Sequence, residues 1–252
     1  MNHRAVWAIY CFEIAKAWQV PLQSMAAPVI TAALYFAVFG SALGHLQEVH
    51  GVGYGSFIVP GLTLLTVLTN AVSGASFSIF FQKYSGTIYE ILAAPITPAE
   101  IIASHVAAST TKSIALALCI VPTAKIFVTF EIMHPLLSLI YLVITAATFS
   151  MLGFVIGAAA KGFERLEVIP MLIITPLTFL GGSFYSLGVL SPLWQRMSLI
   201  NPLLYIINGM RWCFYGISDV PPIASLWVLL CAFSLSALCA TWIFKPGRDI
   251  SL

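Results

Sequence analysis

The sequence predicts an all-α polytopic membrane protein, with an N-terminal amphipathic interface helix, six transmembrane helices, and re-entrant helices between spans five and six. Three observations carry this. Charged residues are 8% of 252 and apolar residues 60%, at a mean hydropathy of +0.98. A soluble domain carries roughly 25% charged residues, so eleven Lys and Arg with nine Asp and Glu cannot cover a water-facing surface of this size. Apolar runs near the ~20 residues needed to cross a bilayer recur along the chain. The Lys and Arg residues also fall unevenly between the two sets of flanks. This composition excludes a soluble enzyme, a nucleic-acid binder and a disordered chain.

The first 24 residues read as the interface helix. The apolar run after Arg4 is interrupted by Glu13 and Lys16, and no small-residue cleavage site follows, which argues against a signal peptide. Glu13, Lys16, Gln19 and Gln23 recur at helical spacing. Trp7, Tyr10, Ile14 and Trp18 take the opposite face, as expected of a helix lying at headgroup level.

Six apolar segments follow, over residues 25–43, 57–81, 101–123, 135–160, 168–187 and 223–244. With both termini in the cytoplasm, the inner flanks hold Arg4, Lys16, Lys83, Lys161, Arg165, Lys245 and Arg248, and the outer flanks hold Lys125, Arg196 and Arg211. That bias satisfies the positive-inside rule, and an even span number requires the termini to share a side. No linker divides the chain, so 1–252 reads as one domain: interface helix 1–24, bundle 25–244, cytoplasmic tail 245–252. A short echo between Ile58-Val59-Pro60 and Val168-Ile169-Pro170 would suit an inverted repeat.

The first inner loop, between spans two and three, is the most informative. Residues 87–94 suffice for two helical turns before Pro95, with Ile88, Ile91 and Leu92 on one face and Glu90 elsewhere. Thr97, Pro98 and Glu100 then read as a cap, a first-turn proline and a first-turn acid for span three. Such a short helix tied to two spans is a lever for a cytoplasmic partner; a plain tight turn is the alternative. The stretch 201–216 is aromatic and apolar but too short to span and return, and reads as re-entrant or as a loop resting on headgroups.

Chemistry-bearing residues are few. No phosphate-cradling GxxxxGK[ST] or HExxH pattern occurs, so neither ATP binding by this chain nor a zinc site is expected. The five cysteines show no CxxC spacing and read as buried, inert thiols. His45, Glu48 and His50 share one loop and could meet a cation, although ordinary loop polarity explains them as well. His105 and Ser109 stand one helical turn apart, a base-beside-hydroxyl spacing without an orienting third group. Lys112 lies well inside the third span, where a charge costs about 2.5 kcal/mol or more. It should therefore face a path, a partner or the bundle interior; the alternative is snorkelling toward an interface, which a central position makes harder.

Several of these stretches together resemble the ABC-2 type permeases, in particular the YadH-like inner-membrane permeases related to nodulation-factor and daunorubicin-type exporters. They are Pro28-Val29-Ile30, Phe57-Ile58-Val59-Pro60-Gly61-Leu62, the loop Gly86-Thr87 to Glu90, Leu92 and Pro95, the run Pro176-Leu177-Thr178-Phe179-Leu180-Gly181-Gly182 with Phe184-Tyr185, and Asn201-Pro202. The resemblance covers nearly the whole chain. It implies the type V exporter architecture and a non-catalytic membrane subunit in the bacterial inner membrane. This subunit would be a homodimer working with two copies of a separately encoded ABC ATP-binding subunit, which would hold the ATP and Mg; no nucleic-acid partner is expected.

By position, residues 84–94 would be the coupling helix, with Lys83, Tyr84, Gly86, Thr87, Tyr89, Glu90 and Leu92 against the ATPase. The interface helix around Glu13 and Lys16 would brace it. Lys112, Phe179, Gly181, Gly182, Phe184 and Tyr185 are candidates for the translocation path or dimer interface. The expected function is export of a hydrophobic or amphipathic substrate, such as a drug, lipid, glycolipid or polysaccharide. The rivals are an ion-coupled secondary carrier working without an ATPase, and an intramembrane enzyme built on His105 and Ser109.

Overall fold

The structure, a computed structural model, describes residues 2–42 and 48–243. His45, the 245–252 tail with Lys245 and Arg248, and the last residues of the first and sixth predicted spans lie outside the described residues. The architecture is all-α and polytopic: among the described residues five helices are long and apolar enough to cross a membrane, namely Leu22–Gly40, Tyr54–Ser85, Pro98–Phe127, Pro135–Ala159 and Pro222–Ile243.

Helix α1 (His3–Gln19) is capped by Asn2 and ends before Pro21. The first span consists of α2 (Ala27–Tyr35) between π-helical turns at Leu22–Ala26 and Phe36–Ala42. A two-stranded hairpin, Glu48–Val49 with Val52–Gly53, leads into the short α3 (Tyr54–Phe57) and then α4 (Val59–Ser85). Next come α5 (Thr87–Ala93), α6 (Pro98–Phe127) and α7 (Pro135–Ala159).

The fifth predicted span, 168–187, is shorter and shifted. Its helical run covers 164–180 as α8 (Glu164–Ile169), a π-helical turn Pro170–Ile174, and α9 (Thr175–Leu180). The paired glycines Gly181 and Gly182 end it, the second at φ 82°, a left-handed geometry that ordinary side chains resist. A 3-10 turn (Leu187–Val189) follows, then α10 (Pro192–Ile200), α11 (Pro202–Tyr215) and α12 (Pro222–Ile243). The expected re-entrant region is thus a helix pair, and α11 packs among α4, α7, α9 and α12. The side chain of Asn201 caps α11 by accepting from Leu203 N, and it donates to the Leu177 carbonyl in α9.

The core is centred on α4, which is buried along most of its length and packs chiefly on α7 and α6. Without a hydrophobic gain between helices in lipid, close backbone approach supplies much of the attraction. Gly153 and Gly157, four apart on α7, lie so near the backbone of Val72 and Ser76 on α4 that a Cβ at either position would collide with a carbonyl. This GxxxG face went unread in the sequence.

The two faces of α1 do not divide simply into covered and uncovered: Gln19 is exposed, and Tyr10, Ile14 and Lys16 are partly covered. Glu13, from its polar edge, is buried against the bundle at 2% exposure, while Trp7 and Trp18 are left uncovered at 65% and 70%. A carboxylate among apolar helices needs hydrogen-bond donors, which the bundle has and acyl chains lack. The cysteines correct the expectation of burial: Cys213 is buried and Cys239 partly so, while Cys11, Cys119 and Cys231 lie on exposed helix faces.

Candidate functional site

Three groups of residues bear on function, one at each end of the bundle and one between. At the first end, Gly86 takes φ 78° and terminates α4, and α5 begins at the next residue. The short helix expected over 84–94 spans Thr87–Ala93, and Lys83 and Tyr84 belong to α4. At its far side, Thr97 and Glu100 form a capping box: the Glu100 carboxylate accepts from Thr97 N at 2.7 Å and from the Thr97 hydroxyl at 2.8 Å. The same carboxylate accepts from Asn2 N at 2.6 Å, which ties α1 to this corner.

Ile88 is buried in a core cluster with Ile79, Ile101 and Phe154, while Tyr89, Glu90 and Leu92 point away from the chain. The expected apolar face of Ile88, Ile91 and Leu92 is thus divided, with Leu92 outward. Tyr84 is exposed and packs edge-on to Phe163, 5.0 Å between ring centroids, beside exposed Lys161 and Arg165. Lys83 corrects the sequence reading. It is 6% exposed and donates to the carbonyls of Ala158 at 2.7 Å and Ala160 at 3.2 Å, closing the end of α7 rather than offering a surface charge.

Between the ends, α1 crosses α6 and α4. Its Tyr10 hydroxyl donates to Thr111 at 3.2 Å, Gln82 Nε2 donates to Glu13 at 3.2 Å, and Lys16 stands 3.5 Å from the same carboxylate oxygen. A cavity of about 370 Å³ opens here, and Lys112 lines it together with Glu13 and Lys16. His105 and Ser109 do not form a pair: His105 Nδ1 meets the Ser78 hydroxyl at 2.7 Å, and Ser109 donates to the Ala71 carbonyl at 3.0 Å. Each bonds α6 to α4, and His105 Nε2 is buried with no hydrogen-bond partner among the described residues.

At the opposite end, Phe179, Phe184, Tyr35 and Phe39 form a ring cluster joining the first span to the end of the 164–180 run. Gly181 is packed so tightly that a Cβ would press on Leu204 and Ile207, and Tyr185 is half-buried nearby.

Arg211, read from sequence as an outer-flank charge, is 1% exposed. Its guanidinium donates to the Gly182 carbonyl at 2.6 Å and to Asn208 at 3.3 Å, lies 3.9 Å from the Phe57 ring, and stands 3.6 Å from the Asp219 carboxylate. Asp219 also accepts from Ser186 and from Leu187 N, and His50 Nε2 is 3.3 Å away. Sequence reasoning missed this network because its members lie far apart along the chain. An arginine inside an aromatic stretch was its one signal. His50 is engaged here, and among the described residues no group of three His, Cys, Asp or Glu could hold a metal.

Comparisons with known proteins agree with this geometry. A profile of the ABC-2 type transporter family matches residues 4–215. The chain is 36% identical over 248 residues to the inner membrane transport permease YadH of Escherichia coli K12, covering 98% of this chain and 96% of that protein. It is 28% identical over 220 residues to nodulation protein J of Neorhizobium galegae, covering 84% and 80%. Against nodulation protein J of Rhizobium meliloti strain 1021 it is 25% identical over 198 residues, covering 77% and 76%. With a profile spanning most of its length and a 36% identical relative matched almost end to end, the chain belongs to the ABC-2 type transporter family.

Proposed function

We propose that this chain is the membrane-spanning permease subunit of an ATP-driven exporter in a bacterial inner membrane. It works as a homodimer with two copies of a separate ATP-binding subunit, which carries the ATP and Mg. Both termini face the cytoplasm, in keeping with exposed Lys161 and Arg165 at the α5 end. The observation that carries the reading is α5 itself. Ile88 roots it in the core, Gly86 and the Thr97–Glu100 box fix its two ends, and Tyr89, Glu90 and Leu92 are left facing outward. A rigid short helix joined to two spans converts a push by a partner into a tilt of α4 and α6.

The dimer is supported by the poor coverage of the first span, where 11% of its apolar window is buried within the chain. Met171, Leu172 and Ile173 on the 164–180 run are exposed as well. A second copy covering these faces would place Phe179, Phe184 and Tyr185 beside the path of a hydrophobic or amphipathic substrate, such as a drug, lipid, glycolipid or polysaccharide.

The test is to purify the permease with its ATPase and measure association and substrate-stimulated turnover. Glu90→Lys, and Tyr89→Ala with Leu92→Ala, should lower both at least tenfold while the thermal unfolding of the permease stays unchanged. Wild-type association in both variants would remove α5 from the coupling role. Transport by the permease alone, driven by a proton gradient in ATP-free vesicles, would instead establish an ion-coupled carrier.

A further inference from the structure

The cavity between α1, α4 and α6 has an unbalanced charge. Lys16 and Lys112 both line it, and the one carboxylate there, Glu13, already accepts from Gln82 and pairs with Lys16. Among the described residues, no carboxylate lies within ion-pairing distance of Lys112. Lys112 sits near the middle of the membrane-crossing helix α6, where an uncompensated ammonium is costly and calls for a counter-charge.

The cavity wall around it is polar and available. Asn70 and Ser73 line the cavity, and neither side chain makes a hydrogen bond within the described residues. The rim is largely apolar: Phe81 and Val20 are about half exposed and the neighbouring Leu22 more so, with Gln23 as an exposed polar member. A cationic, hydrogen-bonding interior with an apolar rim matches a molecule with an anionic head and a hydrocarbon tail. A free aqueous anion would match only the interior, and a neutral drug only the rim.

We propose that this cavity binds the phosphate of an anionic amphiphile. Lys112 and Lys16 take the phosphate oxygens, Asn70 and Ser73 donate to them, and the acyl chain leaves past Phe81 and Val20. The phosphate supplies the direct ion pair that Glu13, which lines the same cavity and pairs with Lys16, does not make with Lys112. The site does not depend on the export reading, because binding is read on the permease alone.

The probe is phosphatidylglycerol, compared with phosphatidylcholine of the same acyl chains, retained by the full-length permease in lipid nanodiscs and counted by native mass spectrometry. Wild type should retain phosphatidylglycerol at least tenfold over phosphatidylcholine. Lys112→Gln should reduce that preference about tenfold, Lys112→Arg should restore it, and Lys125→Gln, whose ammonium stands over Phe130 elsewhere on α6, should leave it unchanged. Ser73→Leu fills the cavity with Lys112 intact and should also abolish the preference, so the conclusion survives if Lys112→Gln fails to fold.

Equal retention of the two lipids by wild type, or a preference that persists in both Lys112→Gln and Ser73→Leu, would overturn the site. Two sources of the amphiphile are separated by adding the ATPase and ATP to proteoliposomes. Labelled phosphatidylglycerol carried to the opposite leaflet marks cargo, and a label that stays marks a resident bilayer lipid. Both support the site.

Discussion

Arg211 on α11 and Asp219 before α12 stand 3.6 Å apart, both nearly inaccessible, in a network that also holds Gly182 and Ser186. The pair therefore fastens the end of the 164–180 run to the α11–α12 turn. Breaking a buried pair by removing one partner leaves an uncompensated charge at a cost of about 3–5 kcal/mol. Arg211→Met is expected to lower unfolding stability by about that much, and Asp219→Asn by less, since the amide still accepts from Leu187 N. Denaturant unfolding in mixed micelles measures both. A double-mutant cycle showing no coupling would dissolve the pair.

The seam between α4 and α7 rests on missing side chains. Leucine at Gly153 or Gly157 must push α7 away from the Val72 and Ser76 carbonyls. Overpacking of this kind costs about 1–3 kcal/mol or more. Gly157→Leu should lower the midpoint of thermal unfolding followed by size-exclusion fluorescence, whereas the same change at the exposed Gly188 should leave it unmoved.

Lys83 and Glu90 should separate cleanly. Lys83→Met removes the donor from the Ala158 and Ala160 carbonyls and is expected to cost about 1–3 kcal/mol. Association with the ATPase should survive in the folded fraction. Glu90→Lys should do the reverse, sparing stability and losing association. Measuring both quantities on both variants checks the division, and Lys83→Met that weakens association without loss of stability would return Lys83 to the partner surface.

The capping box at the start of α6 makes a smaller, local prediction. Thr97→Ala should cost about 1 kcal/mol, and Ile88→Asp should free α5 from its core cluster. Limited proteolysis should then cut within 86–97 several times faster in Ile88→Asp than in wild type, with the spans intact.

Much of the bundle was legible in the sequence because hydrocarbon imposes a simple code: apolar runs of span length, Gly86 and Pro95 bounding α5, and Thr97 to Glu100 starting α6. The illegible parts have physical causes. Lys83 and Arg211 look like surface charges in a linear reading, but Lys83 closes a helix end and Arg211 joins a network built from residues up to 161 positions away at His50. Periodicity on α1 revealed two faces without saying which meets the bundle, because in lipid the outside is no longer the polar side. The 168–187 run overshot its helix because Gly181 and Gly182 continue the apolar composition while ending the helical geometry.

The inward-turned face of α1 also bears on how the chain is made. Glu13 is synthesised 69 residues before Gln82, its hydrogen-bond donor in the finished bundle. Until α4 is in place, its carboxylate has Lys16, one helical turn away on α1, and water or headgroups as partners. α1 therefore cannot take its seat until the later-made residues that hold it, Gln82 on α4 and Glu100 and Thr111 on α6, have been synthesised.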